Sequence, residues 1–546
     1  MNETAFELTG NIVDIVSGKI FPGKVTVSGG RISHIKRMDE PVSGYVLPGF
    51  IDAHVHIESS MLVPSEFARL ASVHGTVATV SDPHEIANVM GIAGVHYMIN
   101  NSKNSPMKFY FGAPSCVPAT TFETAGGKLD VADIESLLAQ DEILYLSEMM
   151  NVPGVLYHDT DVHAKLDIAK KMNKPVDGHA PGLRGDSLKV YAEAGISTDH
   201  ECFTLEEARD KILLGMNILI REGSAARNFD VLSPLIDSHP DNCMLCSDDK
   251  HPDDLQRGHI NQLVQRAVAQ GIDVIKVLRC ATLNPIRHYG LDVGLLQTGD
   301  AADFIVVDNL EQFNVQATYI DGVQVADQGK NLIEGCTTDV INSFHALPKT
   351  LADFRVTPDS DQLKVIDVHD GQLTTRASMH TALVEKNNII SDVNADVLKI
   401  VVINRYQDCK PAIAFVRNFG LKEGAIASSV AHDSHNIIAV GVNDEAIMRA
   451  VNLLIAHQGG VCAVSDSDES VLPLPVAGIM SADDAYRVSE QYAAIDRIAH
   501  EKLGSNLRAP FMTLSFMALL VIPELKLSDK GLFDGNKFQF TELFAG

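Results

Sequence analysis

The stretch GFIDAHVHIESS, residues 49–60, sets His54 and His56 two apart at the end of an apolar run and follows them with Glu58. In a strand, residues two apart share a face, so the two imidazoles either bind something together or repel when protonated. Partners for them recur downstream, where short apolar or β-branched runs end in polar residues. TVATVSDPHE ends in His84 and Glu85, ILYLSEMM carries Glu148, PVDGHAPG carries His179 and ISTDHE ends in His200 and Glu201. NILIREGS carries Arg221 and Glu222, and NCMLCSDD ends in Asp248 and Asp249. One histidine at a strand end is ordinarily a hydrogen-bonded surface residue. Histidines at four separate strand ends, level with acids, are a different matter. Without a cation such a cluster carries repelling or desolvated charge. A divalent metal turns that cost into coordination bonds.

The elements that must position these residues follow from the same runs. With KFYFGAPSCVP (108–118) they number eight between residues 49 and 250, each followed by a helix-compatible stretch. Strands alternating with helices predict βαβ units and a parallel sheet. Eight such units fit a (β/α)8 TIM-type barrel, an α/β fold whose active-site face is built from the C-terminal strand ends. An open doubly wound sheet would want a Gly-rich phosphate turn after the first strand, and HVHIESS has none. Strand-like segments precede the barrel (NIVDIV, KVTVSGGRISHI, GYVLPG) and follow it (GDAADFIVVDN, ATYIDGVQVADQGK). The expected organisation is a discontinuous β-sandwich domain from 1–48 plus 283–345, a catalytic barrel over 49–282 and a C-terminal α+β domain over 346–546. In that last domain NDEAIMRAVNLLIAHQGG reads as a helix stopped at Gly459 and Gly460.

Composition narrows the function classes. A net charge of -27 argues against nucleic acid or an anionic membrane as partner, because phosphates attract basic surfaces. The start, MNETAFELTGNIVDIV, has neither a basic n-region nor an apolar h-region, so no signal peptide is expected. FMTLSFMALLVIP is too short to span a bilayer and is interrupted by Thr513 and Ser515. Eight scattered cysteines read as reduced thiols, and the chain is expected in the cytoplasm. Cys243 and Cys246 have CxxC spacing without a second pair and face opposite sides of a strand, which favours buried strand cysteines. His56-Ile57-Glu58 with that CxxC formally matches the H-x-E…P-C-x-x-C zinc site of cytidine-type deaminases. Asn242 replaces the proline, however, and the match leaves His179, His200, Glu148 and Asp248 unexplained, so it is rejected.

The strand-end set, with GFIDAHVH, ATLNPIRHYGL and GDAADFIVVD, resembles the amidohydrolase superfamily. HVHIESSM, DPHEIANVMG, SEMMNVPGV, DGHAPGL, REGSAARN, CMLCSDD, AHDSHNI and LPLPVAGIMS resemble, within it, the bacterial adenine deaminase family, along nearly the whole chain. The resemblance implies two divalent metal ions, Mn(II) or Fe(II) ahead of Zn(II). His54, His56 and Asp248 would hold one, His179 and His200 the other, and Glu148 would bridge them where many relatives use a carbamylated lysine. It implies hydrolytic deamination of adenine to hypoxanthine and ammonia, with metal-activated water attacking C6. Asp248 would shuttle the proton, and Glu201 or Glu85 would protonate N1. His84 either lines the purine pocket or is structural, and Arg221 either contacts substrate or pairs with Glu222 at the rim. Glu58 either orients a ligand imidazole or caps the helix after it. His432, Asp433 and His435 read as a hydrogen-bonded turn, or as a contribution of the last domain to the pocket or to an extra metal site. The expected partner is small-molecule adenine, in a homo-oligomer of two chains or more. The alternatives are another amidohydrolase acting on a different aminopurine or cyclic amide, and an inactive barrel scaffold.

Overall fold

The structure, a computed structural model, describes residues 5–544. Eight parallel strands carry the site: β1 (Phe50–Val55), β2 (Thr76–Ser81), β3 (Lys108–Ala113), β4 (Ile143–Met149), β5 (Val176–Gly178), β6 (Thr198–Asp199), β7 (Asn217–Arg221) and β8 (Cys243–Cys246). They form two parallel sheets, β1 to β5 in order and β6 to β8 in order. Isolated parallel bridges join the sheets at both margins, Val176 to Ile196 and Val55 to Asp248. At the second margin the Asp248 amide donates to the His54 carbonyl at 2.9 Å. The result is an α/β architecture around a curled parallel sheet. Every residue of β1, β2 and β8 is buried, as for parallel strands covered on both faces, which is why these runs are continuously apolar rather than alternating. Cys243 and Cys246 of β8 pack into different core clusters, as residues three apart on a strand must.

β5 and β6 are very short because their side chains take over from the backbone ladder. Thr198 Oγ1 donates to Asp177 at 2.8 Å, and Asp199 accepts from the Ala180 amide at 3.0 Å and the Glu201 amide at 2.6 Å. Lys211, from helix Leu205–Leu213, is fully buried and donates to Asp199 and Glu207, each at 2.9 Å. The chain turns just before the histidines are therefore pinned by paired charges.

Segments on either side of the parallel strands in sequence share one eight-stranded sheet, in the order Lys330–Asn331, Val323–Asp327, Val315–Ile320, Phe304–Val307, Tyr45–Pro48, Phe6–Asp14, Lys19–Ser28, Arg31–Arg37. It is continuous and curled, with a further bridge from Arg31 to Ala301, over a core that includes Ile12, Val25, Ile32 and Phe304. Helix Leu283–Tyr289 packs against the parallel strands rather than this sheet: Asn284 donates to the Cys243 carbonyl at 2.7 Å and Tyr289 to Asp177 at 2.9 Å.

The C-terminal part is built on another eight-stranded sheet. In its strand Val397–Ile403 the period of two sorts the side chains: Val401 and Ile403 pack with helix Asp444–His457, while Leu398, Ile400 and Val402 join the core that continues into the parallel strands. The helix stops at His457, with Gln458 in the left-handed region (φ 55°), one residue before the glycines expected to stop it. Gly460 instead opens the strand Gly460–Val464. The segment around FMTLSFMALLVIP is the buried helix Pro510–Phe516 with a turn after it. Among the described residues no helix is long and apolar enough to cross a membrane.

Candidate functional site

His54 lies on β1 and His56 just past it, Glu148 on β4, His179 after β5, His200 after β6 and Asp248 after β8; all six are buried. Their polar atoms meet at Glu148. Oε1 of Glu148 is 2.9 Å from His56 Nε2 and 3.7 Å from His54 Nε2. Its Oε2 is 2.7 Å from His179 Nδ1 and 3.4 Å from His200 Nε2. Asp248 Oδ1 lies 3.3 Å from His56 Nε2 and 3.6 Å from His54 Nε2. One carboxylate thus turns an oxygen to each of two imidazole pairs, and a second carboxylate joins one pair only.

The donor chemistry fits a pair of cations. His56 Nδ1 faces the Asp82 carbonyl at 3.2 Å, an acceptor, so the proton sits on Nδ1 and the Nε2 lone pair points into the cluster. His54 Nε2 and His56 Nε2 point at one another across 3.2 Å. His54 Nδ1 and His179 Nε2 are buried without a protein partner. All the donors are nitrogen and oxygen, with no thiolate, a set that suits Mn(II), Fe(II) or Zn(II). Electrostatics agree. Burial raises the Glu148 carboxyl, but His200, His179 and His56 together hold it well below the usual range. Burial and His84 lower the His56 imidazole, and Asp248 and Glu148 more than reverse this.

Arg221, at the end of β7, is buried and does not pair with Glu222. Its Nη1 and Nη2 take Glu201 Oε1 and Oε2 at 2.5 and 2.8 Å, and Nη1 also donates to Asp248. Glu222 pairs instead with Arg266 at 2.6 Å and Arg227 at 3.5 Å. His84 stands beside the cluster, its Nδ1 3.1 Å from Asp82 Oδ2 and 3.5 Å from Glu148, its Nε2 3.2 Å from Glu85. Asp82 went unrecognised in the sequence, although it sits in the quoted SDPHE. It also accepts from Ser147 of β4 at 2.7 Å, tying the β2 and β4 ends together.

The remaining wall comes from the C-terminal part. Leu373, His432, Asp433, Phe516 and Leu519 line the pocket with Glu85, Met150, Asp249 and the cluster residues. Glu85 Oε1 meets His432 Nδ1, and its Oε2 meets His435 Nε2. The Ala431 amide donates to His435 Nδ1 at 3.1 Å, so that ring is a donor through Nε2 and not a metal ligand. Phe516 stacks on His432 with centroids 5.1 Å apart. Glu58 does neither of the things expected of it: its Oε1 accepts the Ile86 amide at 3.2 Å, in the first turn of helix His84–Met90. A larger cleft of about 570 Å³ lies elsewhere and brings only His96, Tyr97 and Asp339 as titratable groups to its walls.

Imidazoles on or just after the first, fifth and sixth parallel strands, a glutamate on the fourth and an aspartate after the eighth define a hydrolase of the amidohydrolase type, and the model of the Amidohydrolase family matches residues 45–325. The model of the Adenine deaminase C-terminal domain matches residues 372–539. Proteins named adenine deaminase from Sulfurovum sp. (strain NBC37-1), Salinibacter ruber and Methanosarcina mazei are 57%, 53% and 52% identical to this chain, covering 98%, 99% and 98% of it and 99% of each relative. The chain belongs to the adenine deaminase family.

Proposed function

We propose that the chain deaminates adenine hydrolytically, adenine and water giving hypoxanthine and ammonia, at a two-metal site on the C-terminal rim of a closed (β/α)8 barrel. Closure is supported by the two bridges joining the parallel sheets. The domain reading that goes with it is a discontinuous β domain, from the sheet shared by residues 6–48 and 304–331, and a C-terminal α+β domain covering the rim. His54, His56 and Asp248 would hold one ion, His179 and His200 the other, with Glu148 between. The observation that carries the reading is the opposed placement of the two Glu148 oxygens. When bound, divalent ions of this kind lower the pKa of water so that hydroxide is available near neutral pH.

The chain's own residues do the rest. Asp248 takes the proton of the attacking water and returns it to the departing amine. Arg221 fixes the carboxyl that must make this transfer and ties it to Glu201. N1 of the purine must gain a proton as density moves onto it. Arg221 donates to both oxygens of Glu201 and ties that carboxyl to Asp248. Those of Glu85 are held by imidazoles, which can themselves carry a proton, so the proton comes from the Glu85 side, past His84. Leu373, Phe516 and Leu519 exclude bulk water and offer apolar surface to a flat heterocycle.

The test is to load the purified protein with Mn(II), Fe(II) or Zn(II) under anaerobic conditions and follow adenine by ultraviolet absorbance. Hypoxanthine and ammonia in equal amounts are expected. No conversion with any of the three ions overturns the assignment.

A further inference from the structure

Three side chains of the C-terminal loop AHDSHN face the pocket region, and two of them are already spent. His432 and His435 each hold one oxygen of Glu85. Asp433 is different. It is buried, with 3% of its surface exposed, and it lines the pocket, yet its Oδ2 has no hydrogen-bond partner. Its Oδ1 lies 3.8 Å from His84 Nε2. An unsatisfied buried carboxyl oxygen is costly, and a ligand that supplies the missing donor removes that cost.

The loop is also held too firmly for Asp433 to find a partner by moving. Arg405, fully buried, donates to the His435 carbonyl at 3.2 Å and to the Ala477 carbonyl. Asn436 accepts the Arg405 amide at 3.0 Å and donates across to the Thr124 carbonyl at 2.9 Å. The Ser515 hydroxyl accepts the His432 amide at 3.1 Å.

We infer that Asp433 is a specificity residue, the acceptor for a ring N–H at the far edge of the substrate. This rests on the adenine reading above and adds which form of the base is chosen. The His84 ring stands between Glu148, 3.5 Å from its Nδ1, and Asp433, 3.8 Å from its Nε2. A planar two-ring base lying along His84, with its reacting edge at the ligand cluster, turns its five-membered ring toward Asp433. The free base carries an N–H on that ring. A base alkylated or glycosylated at N9 carries none. A site built to accept an N–H discriminates strongly against the analogue that lacks it, because the protein oxygen then stays unpaired.

The test compares adenine with 9-methyladenine on the metal-loaded wild type and on Asp433→Asn, reading KM and kcat for adenine, the inhibition constant of 9-methyladenine and metal content. In the wild type, 9-methyladenine should bind at least tenfold more weakly than adenine. Asp433→Asn should raise the adenine KM about tenfold, change kcat less, keep its metal and narrow the gap between the two bases. Wild type that binds both bases within threefold overturns the inference without needing any variant. A folded variant with unchanged KM, or one that keeps the full discrimination, overturns it too. Wild type inert toward adenine would instead remove the adenine reading on which the inference rests.

Discussion

Glu148 and Asp248 divide the labour at the scale of single residues. Glu148 reaches both imidazole pairs, so Glu148→Gln should cost metal as well as turnover, checked by metal analysis of the purified variant. Asp248 reaches one pair only and is the proposed proton carrier, and general acid–base groups of this kind contribute about 10²–10⁴-fold. Asp248→Asn, reloaded with metal, should lose about that factor in kcat with little change in KM; unchanged turnover would remove the role. Arg221 binds two carboxylates through a planar fork, a geometry that an ammonium cannot reproduce. Most of this set was legible in the sequence because the polar residues lay at the ends of recognisable strands. Asp82 was not, and Asp433 was legible only as part of a polar cluster with His432 and His435, open between a hydrogen-bonded turn and a contribution to the pocket. The role of Asp82 depends on β2 lying near β4, and that of Asp433 on a loop some 350 residues downstream of its barrel neighbours, as the Glu85–His432 separation of 347 shows. Nor does sequence spacing reveal that Arg221 turns inward to Glu201 and away from the adjacent Glu222.

Among elements, the parallel strands were readable from their apolar runs, whereas the exact pairing of the flanking segments was not. Two separate strand groups could stack as a sandwich or share hydrogen bonds, and the alternation of residues is the same in both cases. Here they share them. The loop His432–His435 brings the last domain to the pocket wall, where its histidines meet Glu85. Replacing both histidines with alanine should leave metal content intact and lower kcat by about 10²- to 10⁴-fold if they relay the proton to N1. Full activity in the double variant would reduce the loop to packing. Arg405 supports that loop without an acid partner, and burial lowers its guanidinium below the ordinary value. Arg405→Met should destabilise the fold by about 1–3 kcal/mol, from the carbonyls of His435 and Ala477 left unpaired, with a secondary loss in kcat.

In the whole molecule, the C-terminal part and the parallel strands share one continuous core, so they are expected to unfold together in a single transition. Their junction also carries a pH dependence. Glu123 is buried there; burial, then Asp433, push its carboxyl up to about 8 from 4.5. A carboxyl raised in the folded state contributes stability in full below the unfolded value, and the contribution is lost as pH rises to about 8, by at most about 1.4 kcal/mol per pH unit. Glu123→Gln should flatten the fall in stability across that window, as read by denaturant unfolding at a series of pH values. Equal slopes in the two proteins would contradict it.

The pairing of cations is tested most directly by titrating metal-free protein with Mn(II) while following adenine conversion. Turnover should rise from near zero and level off at two equivalents per chain. Full turnover at one equivalent, or turnover that does not depend on added metal, would contradict a site in which Glu148 spans two ions.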